Sequence, residues 1–218
     1  MLFSMESTRI AELLAPFVSA PLSDAQLAQL SAYLDLLMKW NTKTNLTAVR
    51  DPEQMVTRHF GESLFAAEKL LQEPVATAID LGSGAGFPGL PLAIYAPDVK
   101  VALIESQNKK ATFLKEVVRA IGLKNVTVNQ GRGEDFRGSA QLVTMRAVEK
   151  FTESIKLAAS LVAPGGRLAM LISAGQVVVA EEKDRMQWEL PVDVPGSEKR
   201  ILLVGRKPVS SLRDSVPS

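Results

Sequence analysis

Residues 80–89 read Asp80-Leu81-Gly82-Ser83-Gly84-Ala85-Gly86-Phe87-Pro88-Gly89. This glycine-rich stretch follows an apolar run, VATAIDLG (75–82), and leads into a helical pattern near 88–96, so it forms a strand-to-helix turn. Open α/β sheets bind ligands at the carboxyl ends of their strands, and residues without side chains let backbone come close to a nucleotide-like ligand there. A dinucleotide fingerprint begun at Gly82 and Gly84 needs a third glycine at position 87; Phe87 stands there instead, which counts against an NAD-binding loop.

Downstream, VALIES (101–106), VTVNQG (126–131), QLVTMRA (141–147) and RLAMLIS (167–173) read as further strands, with helices at 108–121 and 151–163 between them. Strand-helix alternation of this kind predicts an α/β, doubly wound, mostly parallel sheet. QWELPVDV (187–194) and KRILLVGRK (199–207) are separated only by the turn-like PGSE, which predicts an antiparallel C-terminal hairpin at the sheet edge. Upstream, Ile10, Leu13, Leu14 and Phe17 make one helical stripe, and Leu27, Leu30, Leu34, Leu37 and Met38 a second, opened by Ser23 or Asp24. A linker, NTKTNLTAVRDP (41–52), precedes a third helix over 51–71. The expected division is an N-terminal helical cap (1–72), a sheet domain (73–207) and a disordered tail (208–218).

With 218 residues, 46% of them hydrophobic, the chain can bury one sizeable core. Its 25 basic and 24 acidic residues leave a net charge of +1, which excludes binding of polyanions by bulk charge; any nucleic-acid site is a local patch. The absence of cysteine excludes disulfides, thiolate metal sites and a cysteine nucleophile, and no metal site is expected. Glu6 and Arg9 interrupt the N-terminal segment, which has no cleavage-site pattern, and nowhere do 18 apolar residues run together. A soluble cytoplasmic protein with no membrane partner is expected.

With Asp80 ahead of glycines 82, 84 and 86, the loop resembles motif I of class I S-adenosylmethionine (AdoMet) methyltransferases, which implies a Rossmann-like sheet and AdoMet as cofactor. Glu105 ends the second strand, 21 residues past Gly84, where a carboxylate accepts from both ribose hydroxyls and repels a 2′-phosphate. Gly131-Arg132-Gly133-Glu134-Asp135-Phe136 follows the third strand, where such sheets read the adenine ring; Glu134 is equally suited to cap a helix. Arg146, at the end of the fourth strand, either points toward the ligand crevice or forms a surface ion pair.

The residues also narrow the methyl acceptor. Methylation at C5 of a pyrimidine starts with cysteine attack, which this chain cannot perform. Exocyclic amines in nucleic acid are served by an (Asn/Asp/Ser)-Pro-Pro-(Tyr/Phe) signature after the fourth strand, where this chain has Thr144-Met145-Arg146-Ala147. Hydroxyl acceptors need a base or metal, yet the one histidine, His59, lies outside the sheet domain. A ring nitrogen such as N7 of guanine has a free lone pair and no proton to lose, so alignment alone suffices and no catalytic general base is expected.

Lys39-Trp40-Asn41-Thr42-Lys43-Thr44-Asn45-Leu46-Thr47, then Arg58-His59, DLGSGAGFPGLPLAI (80–94), RGED (132–135) and MRAV (145–148) resemble the RsmG (GidB) family, from about residue 23 to about 207. The resemblance implies a methyltransferase acting on N7 of a guanosine in 16S rRNA of the small ribosomal subunit. It also implies AdoMet contacts from Gly82, Phe87, Gly133, Glu134 and Arg146. Where the family more usually has Asp-Ser after Arg-His, this chain has Glu62-Ser63, the same charge on a longer side chain. In this light Lys39, Lys43, Arg50 and Arg58, with Arg146, are expected to bind RNA, with Trp40 and His59 either stacking on bases or packing within the cap. A second basic set, Lys109, Lys110, Lys115, Arg119 and Lys124, reads as a solvated helix face or a border of the RNA groove.

Overall fold

A computed structural model of the protein describes residues 5–146, 151–183, 186–197 and 199–209. Five strands lie parallel: β1 (Thr77–Leu81), β2 (Lys100–Glu105), β3 (Val126–Gln130), β4 (Ala140–Arg146) and β5 (Val162–Ser173). Helices α5 (Gly89–Tyr95), α6 (Asn108–Ala120) and α7 (Phe151–Leu161) alternate with them. The order β3-β2-β1-β4-β5 runs outward in both directions from β1, the doubly wound arrangement that opens a crevice beyond the central strand ends. The C-terminal hairpin completes the sheet: β8 (Arg200–Arg206) pairs antiparallel with β5, and the short β6 (Gln187–Trp188) and β7 (Val192–Asp193) pair with its outer edge.

The cap consists of α1 (Ser7–Leu14), α2 (Asp24–Thr44), and α3 (Pro52–Met55) continued by a π turn (Val56–Gly61) into α4 (Glu62–Leu70). The expected third helix over 51–71 is therefore present but interrupted, and π turns of this kind concentrate at functional sites. Ser23 and Gln26 form the capping box that starts α2, and Asn45 ends it in the left-handed conformation, φ 46°. Gln26 Nε2 donates to the carbonyls of Ile94 and Tyr95, and Gln29 Nε2 donates to that of Ile121, so α2 lies across the ends of α5 and α6.

Cap and sheet share one core. Leu30, Leu34 and Phe60 of the cap pack in a continuous apolar cluster with Leu90, Leu103 and Phe113; the opposite sheet face packs Val143 and Leu168 against Ile155 and Ala158 of α7. Burying each such side chain contributes about 1.5–3 kcal/mol, which holds the cap over one side of the crevice. β5 starts at Val162 rather than near 167, carrying Pro164-Gly165-Gly166 into the strand. No helix among the described residues is long and apolar enough to cross a membrane. Of the expected tail, 210–218 lies outside the described residues, as do Ala147 and Val148.

Candidate functional site

Gly82, Gly84 and Gly86 have φ of 68°, 59° and 98°, backbone that L side chains rarely adopt. Glu105, at the end of the neighbouring strand, holds the loop: its carboxylate accepts from the N–H of Gly84 at 2.9 Å and of Gln107 at 2.7 Å. Beneath the loop Asp80 is 1% exposed and accepts from the Thr144 hydroxyl at 2.7 Å and the Gly89 N–H at 3.2 Å. Burial pushes the Asp80 carboxyl up to about 6, against the hydrogen bonds from Thr144, Ser83 and Gly89 that favour the charged form.

The cap supplies the facing wall through the linker. Asn41, 3% exposed, accepts from the Thr47 N–H at 2.9 Å and donates to the Val49 carbonyl at 3.2 Å. One buried amide thus shapes the turn that carries Leu46 and Thr47 to the crevice. His59 stacks on Phe87, ring centroids 5.0 Å apart. Its Nδ1 lies 3.4 Å from Arg146 Nη2; because a guanidinium only donates, Nδ1 is the acceptor, and Nε2 carries the proton donated to Thr47 Oγ1 at 2.7 Å. Burial pushes the imidazole down to about 3, assisted by the charges of Arg146, Arg58 and Arg200, so His59 is neutral at physiological pH.

Arg146 joins the two walls. Its side chain is 7% exposed, and Nη2 donates to the Arg58 carbonyl at 2.7 Å and lies 2.9 Å from Glu62 Oε2. The same oxygen lies 3.1 Å from Arg200 Nε, so one buried carboxylate, raised by burial, sits between two arginines. Arg146 Nη1 is buried without a hydrogen-bond partner among the described residues. The cleft enclosed is about 400 Å³, with Gly82, Ser83, Gly84, Phe87 and Glu105 on the sheet side, Leu46, Thr47 and His59 on the cap side, and Lys110 and Arg146 also lining it. Among the described residues no group of three His, Asp or Glu stands together as a metal site would require.

A family model described as rRNA small subunit methyltransferase G (GidB) matches residues 26–194. The Ribosomal RNA small subunit methyltransferase G of an Exiguobacterium species is 37% identical over 203 residues, covering 85% of this chain and 84% of the relative. That of Stenotrophomonas maltophilia is 40% identical over 182 residues, covering 79% and 83%. The chain belongs to the GidB family. Two solved structures share the fold. The precorrin-6y C5,15-methyltransferase of Geobacter metallireducens has a TM-score of 0.54 at 13% identity, covering 66% of this chain and 88% of that one. M. jannaschii TYW2 in complex with AdoMet has 0.52 at 18% identity, covering 68% and 74%.

In this GidB-family protein the expected site residues divide by position. Gly82, Gly84, Phe87, Glu105 and Arg146 line the cleft. Asp80 does not; it lies under the loop as a positioning residue. Gly86 is likewise turned from the cleft: a Cβ there would stand 2.5 Å from the Tyr33 hydroxyl and from Leu90 Cδ1. Gly133 packs against Leu81 and Leu157, and Glu134 is exposed in a short turn joined to β2 by the Gly131 N–H donating to the Glu105 carbonyl. Lys39, Lys43, Arg50 and Arg58 are all exposed, and the Arg50 guanidinium also holds the end of α2 through the Asn41 carbonyl and Asn45 Oδ1. Trp40 packs edge-on to Phe113 and donates to Glu116 at 3.1 Å, an attachment to α6 rather than a free base platform. His59, placed outside the sheet domain by its position in the chain, has its ring in the cleft.

The two perturbed groups predict a pH signature. Asp80 takes its proton near pH 6 when folded but only near 3.8 when unfolded, so its contribution is full below 3.8 and is lost as pH rises through 6. His59 behaves oppositely: unfolded chain protonates near 6.5 and folded chain near 3, so its contribution is full above 6.5 and is lost as pH falls toward 3. Between about pH 4 and 6 the two slopes offset each other. Asp80→Asn should therefore unmask the histidine, gaining on the parent as pH rises through this window by at most about 1.4 kcal/mol per pH unit. Urea titrations at stepped pH check this, and a flat difference between variant and parent refutes the assignment.

Proposed function

We propose that this chain transfers the methyl group of AdoMet to N7 of a guanosine in 16S rRNA, on free RNA or on the small ribosomal subunit, in the cytoplasm. The observation that carries this reading is the cleft itself, which a glycine loop held by a buried glutamate lines together with the His59 ring and Arg146. AdoMet suits the residues present. The Glu105 oxygens each accept one backbone N–H and keep lone pairs for ribose hydroxyls, and a Cβ at Gly84 would meet open space, its nearest neighbour being Gly82 O at 3.8 Å.

AdoMet supplies an electrophilic methyl group on a sulfonium. The chain's own contribution is position: the backbone of Gly82 and Gly84, whose N–H groups are held by the Ile104 carbonyl and the Glu105 carboxylate, lies with the Phe87 ring and Glu105 against the cofactor, Gly133 and Glu134 border its adenine end, and Asp80 and Gly86 fix the loop from behind. Arg146 lies on the acceptor side, and Lys39, Lys43 and Arg58 supply charge for phosphates. No group is asked to take a proton. His59 has both nitrogens engaged and a pKa of about 3, so it orients rather than deprotonates, as an acceptor with a free lone pair requires.

Glu105→Ala should weaken AdoMet binding by about 1–3 kcal/mol, which calorimetry measures directly. Mass spectrometry of 16S rRNA from a strain lacking the gene should show one N7-methylguanosine missing and restored by the parental chain. An unchanged modification pattern sinks the proposal.

A further inference from the structure

A second cleft of about 400 Å³ adjoins the first across the Arg58–Glu62 segment and is lined by Arg58, Glu62, Ser173, Gln176, Ser197, Lys199 and Arg200, among others. Its polar groups are mostly donors. Gln176 Oε1 accepts from the Ser173 N–H and hydroxyl, which fixes the amide orientation and leaves the NH₂ group as what Gln176 can offer. Ser197 Oγ already accepts from the Arg200 N–H at 3.1 Å, which leaves its hydroxyl proton to donate. Lys199 and Arg58 are exposed cations with no ion pair among the described residues closer than 4.0 Å.

Charge points the same way. Glu62 is the one carboxylate lining this cleft among the described residues, and its Oε2 already lies against both Arg146 and Arg200. Among the described residues this cleft sets one negative charge, Glu62, against Arg58, Lys199 and Arg200, an excess of positive charge that a bound anion would offset. The cleft is lined by Arg58 and Glu62, which also hold Arg146 in the wall of the first cleft, so an anion here neighbours an acceptor placed beside Arg146.

We infer that this second cleft is a phosphate subsite that grips the RNA backbone next to the target nucleotide. The inference rests on the rRNA reading for which RNA is held, while phosphate binding itself does not depend on that reading. Two probes keep the questions apart: a short single-stranded RNA bound by the full chain across a salt titration, and inorganic phosphate as competitor. Lys199→Ala should make the salt slope of RNA binding shallower by about 0.7, and Lys199→Ala with Arg58→Ala by about 1.4, with AdoMet affinity and melting temperature unchanged. Phosphate should compete with RNA on the parent at concentrations where it leaves the double variant unaffected.

Parental salt slopes in both variants overturn the subsite whether or not the chain methylates rRNA. If phosphate binds the parent but RNA binding ignores both substitutions, the cleft takes a free phosphate and the backbone proposal is refuted. If the slopes change as expected while 16S rRNA modification is intact in the deletion strain, the subsite stands and the rRNA assignment fails.

Discussion

Glu62→Ala is expected to destabilise the protein by about 3–5 kcal/mol, because removing one partner of a buried ion cluster leaves the other charges in a medium that solvates them poorly. The carboxylate is 4% exposed and lies 2.9 Å from Arg146 and 3.1 Å from Arg200, whose side chains are 7% and 26% exposed. Neither arginine has another carboxylate within 4.0 Å among the described residues. For a chain of this length the midpoint should fall by roughly 6–20 °C, read by thermal melts monitored at two wavelengths. Arg146→Met added to Glu62→Ala should recover part of the loss, since the stranded cation is then gone. A loss under about 1 kcal/mol for Glu62→Ala alone would mean that the arginines reach solvent when released and that the cluster is not a structural joint.

Gly86→Ala should cost about 2–5 kcal/mol, from overpacking together with strain at φ 98°. The new methyl would stand 2.5 Å from both the Tyr33 hydroxyl and Leu90 Cδ1. Tyr33 donates to the Ala85 carbonyl and stacks on Phe87 at 5.4 Å, so the substitution pushes the cap off the loop it covers. Gly84→Ala is the control: with open space around its Cβ it carries only the backbone strain, about 1–2 kcal/mol, and its main effect should be on AdoMet affinity. Near-UV circular dichroism follows the packing of the aromatic side chains, Tyr33 among them. Equal stability of the two variants would show that the Tyr33 attachment contributes nothing.

The glycine loop and Glu105 were legible in the sequence because their relation is local and periodic: two consecutive strands end side by side, and their last residues must meet. The place of Asp80 was not legible, because strand periodicity does not say whether a carboxylate at the loop's edge faces the ligand or the floor, and the Thr144 hydroxyl that it accepts from lies 64 residues away. Arg50 carries the right charge for RNA, but its further part in holding the turn was not legible, since its partners there lie five and nine residues back. The joint among positions 62, 146 and 200 was legible only in fragments, as Glu62 in place of the family's more usual Asp and as Arg146 at a strand end, because residues from the cap, β4 and β8 meet only once the sheet is assembled. His59 hides for the same reason: it belongs to the cap by sequence and to the cleft by folding.

The place of β8 has a consequence for synthesis. It pairs along β5 from Arg167 to Ser173, yet its first residue is 27 positions beyond the end of that strand. While the chain emerges from the ribosome, the β5 edge therefore stands open, with Leu168, Met170 and Ile172 on it, until Arg200–Arg206 follows. An open apolar edge is the surface through which chains aggregate, so a nascent or truncated chain ending before β8 is the species most dependent on chaperones.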